Sequence, residues 1–453
     1  MAIQEENGSV LLSFVVIVYN VERYIEQCLE SIKAQTMDDF EVIVVNDAST
    51  DNSASIIEAC VGDDNRFNVI NKDLNGGAHL ARRSGVLSSH GKYVVFVDGD
   101  DEVEPTLCEI MTSFVQGKDP DILRFGRSLM AVGDDNQRTA YAAERALNTT
   151  FGGVEAGDVI RSVFSEDFPS RNSWSVIDCL FKGDFIREAF RDMTDKRLGR
   201  MQDAYEFFVL SSHATSMLTV PEYRGLRYRF GAGVSGNGIE SFDRFDNGQR
   251  GMHATLSAVE RYASQFGRTE VQRYSNWFKY VMLGIVGREW CMRLTVDDQA
   301  EGFRVLRNTW GDENTAFIIL EPLSSRIQHF LDQQVQPADS DELYRWMSLY
   351  DELVLEDIND NVIADKVSDF QNKRNELEGF IRYQKELEIA EQLKKEIERQ
   401  RLEEEQREAQ RVLKKDTRAR KLVDGLFPEG SRRRNILRSI SRRLIRIVRH
   451  REA

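Results

Sequence analysis

Four short runs of β-branched and aromatic residues, each followed by a segment of helical character, constrain most strongly what this chain can fold into. The runs are SFVVIVY at 13–19, FEVIVV at 40–45, the weaker FNVI at 67–70 and YVVFV at 93–97. Continuous apolar runs of this length are typical of strands that are buried on both faces. Helical segments are predicted between them, at 22–35, 52–60 and 76–89. This β-α-β-α order predicts a parallel sheet covered by helices.

After about residue 105 the alternation is less regular, and helical patterns become longer. The further predicted elements are strands at 121–125 and 225–230 and helices near 183–190 and 202–213. Residues 243–355 contain longer helical patterns such as 271–293, to which no chemistry can be assigned. We therefore expect an α/β fold, with a Rossmann-like mixed or parallel sheet flanked by helices over residues 1–240. An α-helical domain of unassigned role is expected over 241–358.

The composition changes again beyond about residue 360. Residues 383–421 are mostly Glu, Lys, Arg, Gln and Leu, with neither Pro nor Gly. Several Glu residues precede a basic residue by four positions, and each such pair stabilises a helix by about 0.2–0.5 kcal/mol. We expect one long charged helix over 359–425. Its apolar stripe follows no clean heptad, so a solvated spacer and a weak coiled coil that forms a homo-oligomer are both open.

A basic amphipathic tail is expected over residues 426–453. The chain has a formal net charge of −15, yet residues 430–453 hold nine Arg and one Glu. On a helix, one arc collects the apolar residues Ile436, Leu437, Ile440, Leu444, Ile447 and Val448. Such a helix suits an anionic membrane surface, and docking on the chain's own acidic body is the alternative. Nucleic acid is not an expected partner, because no aromatic residues interleave the arginines.

Cysteine usage and hydropathy indicate a reducing compartment. The five cysteines are scattered in apolar surroundings without CxxC spacing, which is typical of cytosolic proteins. Residues 1–9 lack the layout of a signal peptide, and no segment approaches the roughly 18 apolar residues that span a bilayer. We expect a cytoplasmic protein that lies, through its tail, on the inner face of the cell membrane.

Two acidic side chains that follow the fourth apolar run form the strongest candidate site. Asp98 and Asp100 are two residues apart at the end of a predicted strand, so their side chains leave on the same side and can converge. Two carboxylates there repel each other unless a positive group lies between them. Oxygen ligands of this kind suit Mn²⁺ or Mg²⁺. A solvent-exposed acidic turn is the alternative interpretation.

Polar residues also close the first two predicted strands. Tyr19 to Glu22 follows the first, and Asn46 to Asp51 follows the second. Ligands of open parallel sheets bind beyond this edge. The segment Asn75-Gly76-Gly77, with Arg82 and Arg83 after it, adds amides and positive charge for phosphate oxygens. Neither GxGxxG after the first strand nor GxxxxGK[ST] is present, which disfavours a dinucleotide-binding enzyme and a P-loop enzyme.

Taken in order, four segments resemble the family 2 inverting glycosyltransferases of GT-A fold. They are SFVVIVYNVERYIEQCLESI, FEVIVVNDASTDNS, NGGAHLARRSG and GKYVVFVDGDD, and they cover about residues 11–110. A fainter likeness to bacterial cell-surface polysaccharide transferases continues through LFKGDFI, GRMQDAYEFFVL and YRGLRYRFGAGVS. The resemblance implies transfer of a sugar from a nucleotide-sugar donor, with UDP favoured, to a glycan or lipid-linked acceptor with inversion.

The resemblance also implies roles for individual residues on the donor side. Tyr19 and Glu22 would frame the nucleoside, and Asp47 would bind the edge of the base. Asp98 would lie near the ribose, and with Asp100 it would hold the metal on the diphosphate. Arg82 matches an arginine that the family usually has, whereas the asparagine that usually follows it is Arg83 in this chain.

On the acceptor side, Asp203 matches the base-supplying position of the family's Glu-Asp pair, and Gln202 replaces the first member. Inverting transfer needs one general base for the acceptor hydroxyl and neutralisation of the departing diphosphate. His79 and His213 lack metal-spaced partners, which favours structural roles. A non-catalytic scaffold that oligomerises through the long helix is the alternative function. A nucleotidyltransferase is disfavoured because the chain lacks a glycine-rich basic loop after its first strand.

Overall fold

The computed structural model describes residues 10–149, 153–155, 158–167, 172–231, 238–356, 358–427 and 429–449. Its described part contains one sheet with the strand order β3-β2-β1-β4-β8-β6-β9-β5, and β7 pairs with β9. The strands are β1 Leu12–Val18, β2 Phe40–Asn46, β3 Phe67–Asn71, β4 Tyr93–Asp98, β5 Glu102–Val103, β6 Ile122–Ala131, β7 Val154–Glu155, β8 Cys179–Lys182 and β9 Ser216–Phe230.

Eight helices are described among and beside these strands. They are α1 Ile25–Lys33, α2 Ser53–Val61, α3 Gly77–Leu87, α4 Leu107–Val115, α5 Asp134–Leu147, α6 Asp158–Arg161, α7 Gly183–Asp192 and α8 Gln202–His213. The apolar residues of β1, β2 and β4 are almost fully buried, as their continuous hydrophobicity predicts. The expected α/β fold, with a mixed sheet flanked by helices, is confirmed.

The first half of the sheet is parallel and the second half is mixed. β1 pairs in parallel with β2 and β4, and β2 pairs in parallel with β3. β8 is antiparallel to both β4 and β6. The strand expected at 225–230 is the end of the longer β9, which pairs with β6 across two register shifts beside Gly126. Pro221 and the charged residues around it interrupt the apolar pattern, so the sequence does not indicate that the strand begins before residue 225.

The predicted helical region after the sheet is also present. It comprises α9 Phe242–Phe266, α10 Thr269–Arg293, α11 Gln299–Gln333 and α12 Glu342–Tyr350, with a non-helical residue inside α11 at Gly311. One compact unit contains the chain up to Arg326 together with Asp339–Phe370. The helices α9 and α10 therefore belong to the same unit as the sheet. Division into four domains at the boundaries given above remains a prediction.

The second compact unit contains Ile327–Ala338 and the chain from Gln371 onward. The expected long charged helix is α13, Asn361–Leu426, and the basic tail forms α14, Arg432–Arg449. Beyond residue 380 the apolar side chains of α13 are largely exposed, for example Leu393 and Ile397. No described helix is both long and apolar enough to cross a bilayer.

Candidate active site

The polar ends of three neighbouring strands meet at one edge of the sheet. β1 lies between β2 and β4, with Val18 opposite Asn46 and Ile17 opposite Asp98. The amide of Asp47 donates to the Val18 carbonyl over 2.8 Å, and the amide of Gly99 donates to the Ile17 carbonyl over 2.9 Å. The sequence-predicted residues after these strands are therefore brought together.

Asp98 is held by a buried arginine. Arg82 on α3 is 3% exposed, and its Nη2 donates to Asp98 Oδ1 over 2.8 Å. Its Nη1 donates to Oε2 of Glu206 on α8 over 3.1 Å. Burial acts to lower the pKa of Arg82, but the charges of Asp98 and Glu206 outweigh it and raise the pKa above its ordinary value. Arg82 therefore stays charged and joins the strand edge to α8.

Asp203 lies near the same arginine, on the first turn of α8. Burial raises its pKa to about 6, the neighbouring Arg82 opposes this rise, and the charges of Glu206 and Asp98 add to it. Asp203 is thus influenced by the same charged residues that surround Arg82. A carboxylate with a pKa near 6 is suited to accept a proton at neutral pH.

Asp100 and Asp101 have different environments although they are adjacent. Burial, followed by the charge of Asp98, raises the pKa of Asp100 to about 6. Asp101 is fully buried, and its Oδ1 accepts the Arg229 amide of β9 over 2.7 Å. Asp101 thus fastens the turn to the sheet.

Asp98 and Asp100 are suited to a divalent cation whose other ligands come from the substrate and water. Burial and, after it, the charge of Asp98 raise the pKa of Asp100, and a cation between the two carboxylates would relieve their mutual repulsion. Among the described residues, no group of three or more His, Cys, Asp and Glu side chains is arranged to hold a metal. Mg²⁺ commonly uses one or two carboxylates together with phosphate oxygens and water. The residues are thus compatible with a metal that binds together with a diphosphate.

Asp47 has contacts within the protein that the sequence did not predict. Its carboxylate accepts the amides of Gly76 over 3.0 Å and Gly77 over 2.7 Å, and Lys72 Nζ lies 3.2 Å away. These glycine amides were expected to serve phosphate oxygens, but in the structure they bind Asp47. Gly77 also has a φ of 78° and would bring a Cβ to 3.2 Å from the Leu198 carbonyl, so a side chain there would be strained. Base binding by Asp47 remains a prediction.

The loops after β1 and β2 are bound to each other. Glu22 Oε2 accepts the backbone amide and the side-chain amide of Asn52, over 3.0 and 2.9 Å. Asp51 accepts the amides of Glu22 and Ser53, and it therefore connects the loop after β1 to the start of α2. Tyr19 is 48% exposed beside these loops. Glu22 therefore joins the two loops, and nucleoside binding by Tyr19 and Glu22 remains a prediction.

The two positions that depart from the family's pattern have distinct local environments. Arg83 Nε donates to the Phe190 carbonyl over 3.1 Å, so this arginine contacts α7, and phosphate binding by it remains a prediction. Gln202 is the first residue of α8 and follows Met201, whose φ is 57°. This left-handed residue lies at the turn that leads into α8.

Sequence reasoning missed Glu206, although this residue connects the site. Glu206 is completely buried and binds both Arg82 and His79. Its signal in the sequence is a lone acidic residue within AYEFFVL, three positions after Asp203. A carboxylate so enclosed by apolar residues must be paired if it is buried.

Comparisons with known proteins agree with the motifs. Residues 13–155 match the family described as Glycosyl transferase family 2. The putative glycosyltransferase EpsH of Bacillus subtilis is 46% identical over 100 residues, which are 22% of this chain and 29% of EpsH. The glycosyltransferase GlyG of Streptococcus pneumoniae is 40% identical over 115 residues, which are 25% of this chain and 38% of GlyG. The resemblance inferred from the four motifs is thus confirmed for the N-terminal part.

The matched segment spans well under half the length of these relatives. Among solved structures, S. aureus TarS 1-349 in complex with UDP-GlcNAc is similar, with 15% sequence identity and a TM-score of 0.47. That similarity covers 75% of this chain and 90% of the TarS chain.

Proposed function

We propose that this chain, which carries a glycosyl transferase family 2 domain over residues 13–155, transfers a sugar from a nucleotide-sugar donor to a glycan or lipid-linked acceptor. One observation carries the proposal: Arg82 bridges Asp98, at the donor edge of the sheet, and Glu206, one helical turn from Asp203. One buried cation thereby joins the predicted donor-side carboxylate to the helix that carries the predicted base. Such a connection suits a reaction in which donor and acceptor meet at one carbon.

Asp203 acts as the general base in this proposal. Its carboxylate takes the proton of the acceptor hydroxyl while that oxygen attacks the anomeric carbon from the side opposite the diphosphate, which inverts the configuration. General-base help of this kind contributes about 10²–10⁴-fold. Only one carboxylate needs to move a proton, in contrast to the acid and base pair of glycoside hydrolases.

Asp100, with Asp98, holds Mn²⁺ or Mg²⁺ in the proposal. When bound, the cation supplies positive charge to the diphosphate that leaves with the nucleoside. Arg82 keeps Asp98 oriented, while Tyr19, Glu22 and Asp47 line the edge where the nucleoside would lie. UDP is the favoured nucleotide on the family's precedent.

The proposal also includes a location for this activity, which is argued from the C-terminal helices. The side chains of Ile436 and Ile440 on α14 are about half exposed, at 54% and 50%, whereas those of Leu444, Ile447 and Val448 lie outside the described part of the chain. An exposed apolar side among arginines suits an anionic membrane surface. The enzyme would then act on a lipid-linked acceptor of a surface polysaccharide from the inner face of the membrane, with α13 available to form a homo-oligomer.

A calorimetric screen of nucleotide sugars with the full chain, with and without Mn²⁺, tests the proposal. We expect one nucleotide sugar to bind in the presence of Mn²⁺, and its nucleoside diphosphate to be released on incubation. Binding without any release or transfer would favour the alternative of a non-catalytic scaffold that oligomerises through α13. Failure of every nucleotide sugar to bind would contradict both.

A further inference from the structure

His79 on α3 has both ring nitrogens bound to acceptors although it is fully buried. Its Nε2 lies 2.9 Å from the Thr194 carbonyl oxygen, and its Nδ1 lies 2.9 Å from Glu206 Oε1. A carbonyl oxygen only accepts hydrogen bonds, so Nε2 must carry a hydrogen. The Nδ1 to Glu206 contact then needs a second hydrogen, because a bare nitrogen and a carboxylate oxygen would repel each other.

That second hydrogen fixes the charge of the pair. If it sits on Nδ1, the pair is an imidazolium with a carboxylate, and if it sits on Glu206, the pair is a neutral imidazole with a carboxylic acid. The net charge of His79 and Glu206 together is zero in both cases. Glu206 nevertheless still offers Oε2 to Arg82 Nη1 over 3.1 Å.

We infer that His79 is a positioning residue whose extra proton lets Glu206 orient Arg82 without cancelling its charge. The positive charge of Arg82 then remains available to Asp98, which it contacts over 2.8 Å, and to Asp203. Because this role concerns the proposed donor site and base, its kinetic consequences rest on the proposed function. The charge balance itself does not.

The surroundings hold the pair in place. The Tyr205 hydroxyl accepts the Thr194 amide over 2.8 Å, which fixes the carbonyl that His79 binds. The imidazole also stacks near Phe190 and meets the Tyr205 ring edge-on. Among the described ionisable groups around Glu206, His79 and Arg82 are in direct contact, Tyr205 is adjacent in the chain, and Asp203 lies one turn away on the same helix.

Loss of the histidine alone would leave Glu206 as an anion that is bound to Arg82 but no longer to His79. In His79→Gln, the net charge of the pair changes from zero to −1. This negative charge offsets the positive charge of Arg82, so less of it remains to stabilise the carboxylates of Asp98 and Asp203. In the double variant His79→Gln/Glu206→Gln the net charge returns to zero, and the amide oxygen introduced at position 206 can still accept from Arg82. A purely steric role of His79 predicts the opposite order, because the double variant alters more of the packed cluster.

The test is a double-substitution cycle on the full chain, with thermal unfolding and release of nucleoside diphosphate as readouts. We expect His79→Gln to lower kcat about tenfold, equivalent to about 1.4 kcal/mol of transition-state stabilisation, and to lower Tm. We expect Glu206→Gln, added to it, to restore most of both losses. If His79→Gln does not fold, recovery of a cooperative unfolding transition in the double variant is the expected result.

Asp360 supplies the control for a general effect of removing negative charge. Its carboxylate binds Lys279 and Tyr280 on α10, so Asp360→Asn added to His79→Gln should restore neither Tm nor kcat. The inference is overturned if the double variant at His79 and Glu206 is as impaired as His79→Gln, or more so. If the wild-type chain releases no nucleoside diphosphate, the proposed function fails, while the Tm cycle still decides the charge balance.

Discussion

Asp203, the proposed general base, has a pKa that its environment raises above that of an ordinary aspartate. Burial raises its pKa to about 6, Arg82 opposes this, and Glu206 and Asp98 reinforce it. The carboxylate is therefore ionised at neutral pH, yet it holds a proton far more readily than an exposed aspartate. Removing the carboxylate tests this role directly.

We expect Asp203→Asn to lower kcat by about 10²–10⁴-fold, the usual contribution of a general base. Donor binding should persist, because the predicted donor contacts lie on the strand edge and not on α8. Calorimetry with the donor and Mn²⁺, together with a turnover assay, separates the two effects. Near-normal turnover of this variant would remove Asp203 from the mechanism.

The raised pKa of Asp203 also predicts opposite effects of pH on activity and stability. Transfer needs the ionised form, so kcat/KM should rise with pH through an apparent pKa of about 6. The pKa in the folded state exceeds the ordinary value of 3.8, so ionisation destabilises the fold as pH rises from the lower value through the higher one. Above that window Asp203→Asn should therefore have a higher Tm than the wild type. A lower Tm at neutral pH would contradict the burial argument.

At the scale of elements, the start of α8 is held by helices to which the sequence assigned no role. Arg200 Nη2 binds Glu289 of α10 over 2.6 Å, and the Arg200 carbonyl accepts the Thr255 hydroxyl of α9 over 2.7 Å. The backbone of Gly251 on α9 comes so close that an added Cβ would lie 2.8 Å from the Arg200 nitrogen. These contacts precede Asp203 by only a few residues, so α9 and α10 hold the backbone from which the proposed base extends.

Glu289→Gln should consequently reduce kcat roughly three- to tenfold, the loss expected for about 0.7–1.4 kcal/mol, while the donor KM stays unchanged. The matched control is Asp312→Asn, which removes a carboxylate that pairs with Arg307 on α11. That control should lower Tm without changing kcat. Equal kinetic losses in both variants would show that α10 acts through general stability alone.

The elements that the sequence predicted best are those whose local pattern agrees with their final environment. β1, β2 and β4 are continuous apolar runs, and each became a strand buried on both faces. β5 and β7 have two residues each, too few for any periodicity. The side chains of Asp98 and Arg82 were predicted individually, but their contact depends on how α3 lies against β4. The role of Glu206 depends in the same way on the packing of α8, which no local pattern reports.

At the scale of the whole molecule, the acidic chain carries a basic helix whose arginines are partly neutralised. Asp424, near the end of α13, accepts hydrogen bonds from Arg434 and Arg438 of α14, and these bonds lower its pKa. The described apolar side chains of α14 remain exposed, including Ile436 at 54% and Leu437 at 39%. This arrangement can present an apolar side to a lipid surface while two arginines are engaged within the protein.

Membrane binding by α14 should therefore respond in opposite directions to two changes. Deletion of residues 430–453 should abolish co-sedimentation with vesicles that contain phosphatidylserine. Asp424→Asn should instead strengthen it severalfold, because each arginine released toward an anionic surface contributes about 1 kcal/mol before screening by salt. Vesicles of phosphatidylcholine alone separate this charge effect from apolar insertion, since binding there should be weak for all forms. If deletion leaves sedimentation unchanged, α14 is not the membrane contact, and docking on the acidic body becomes the better account of its arginines.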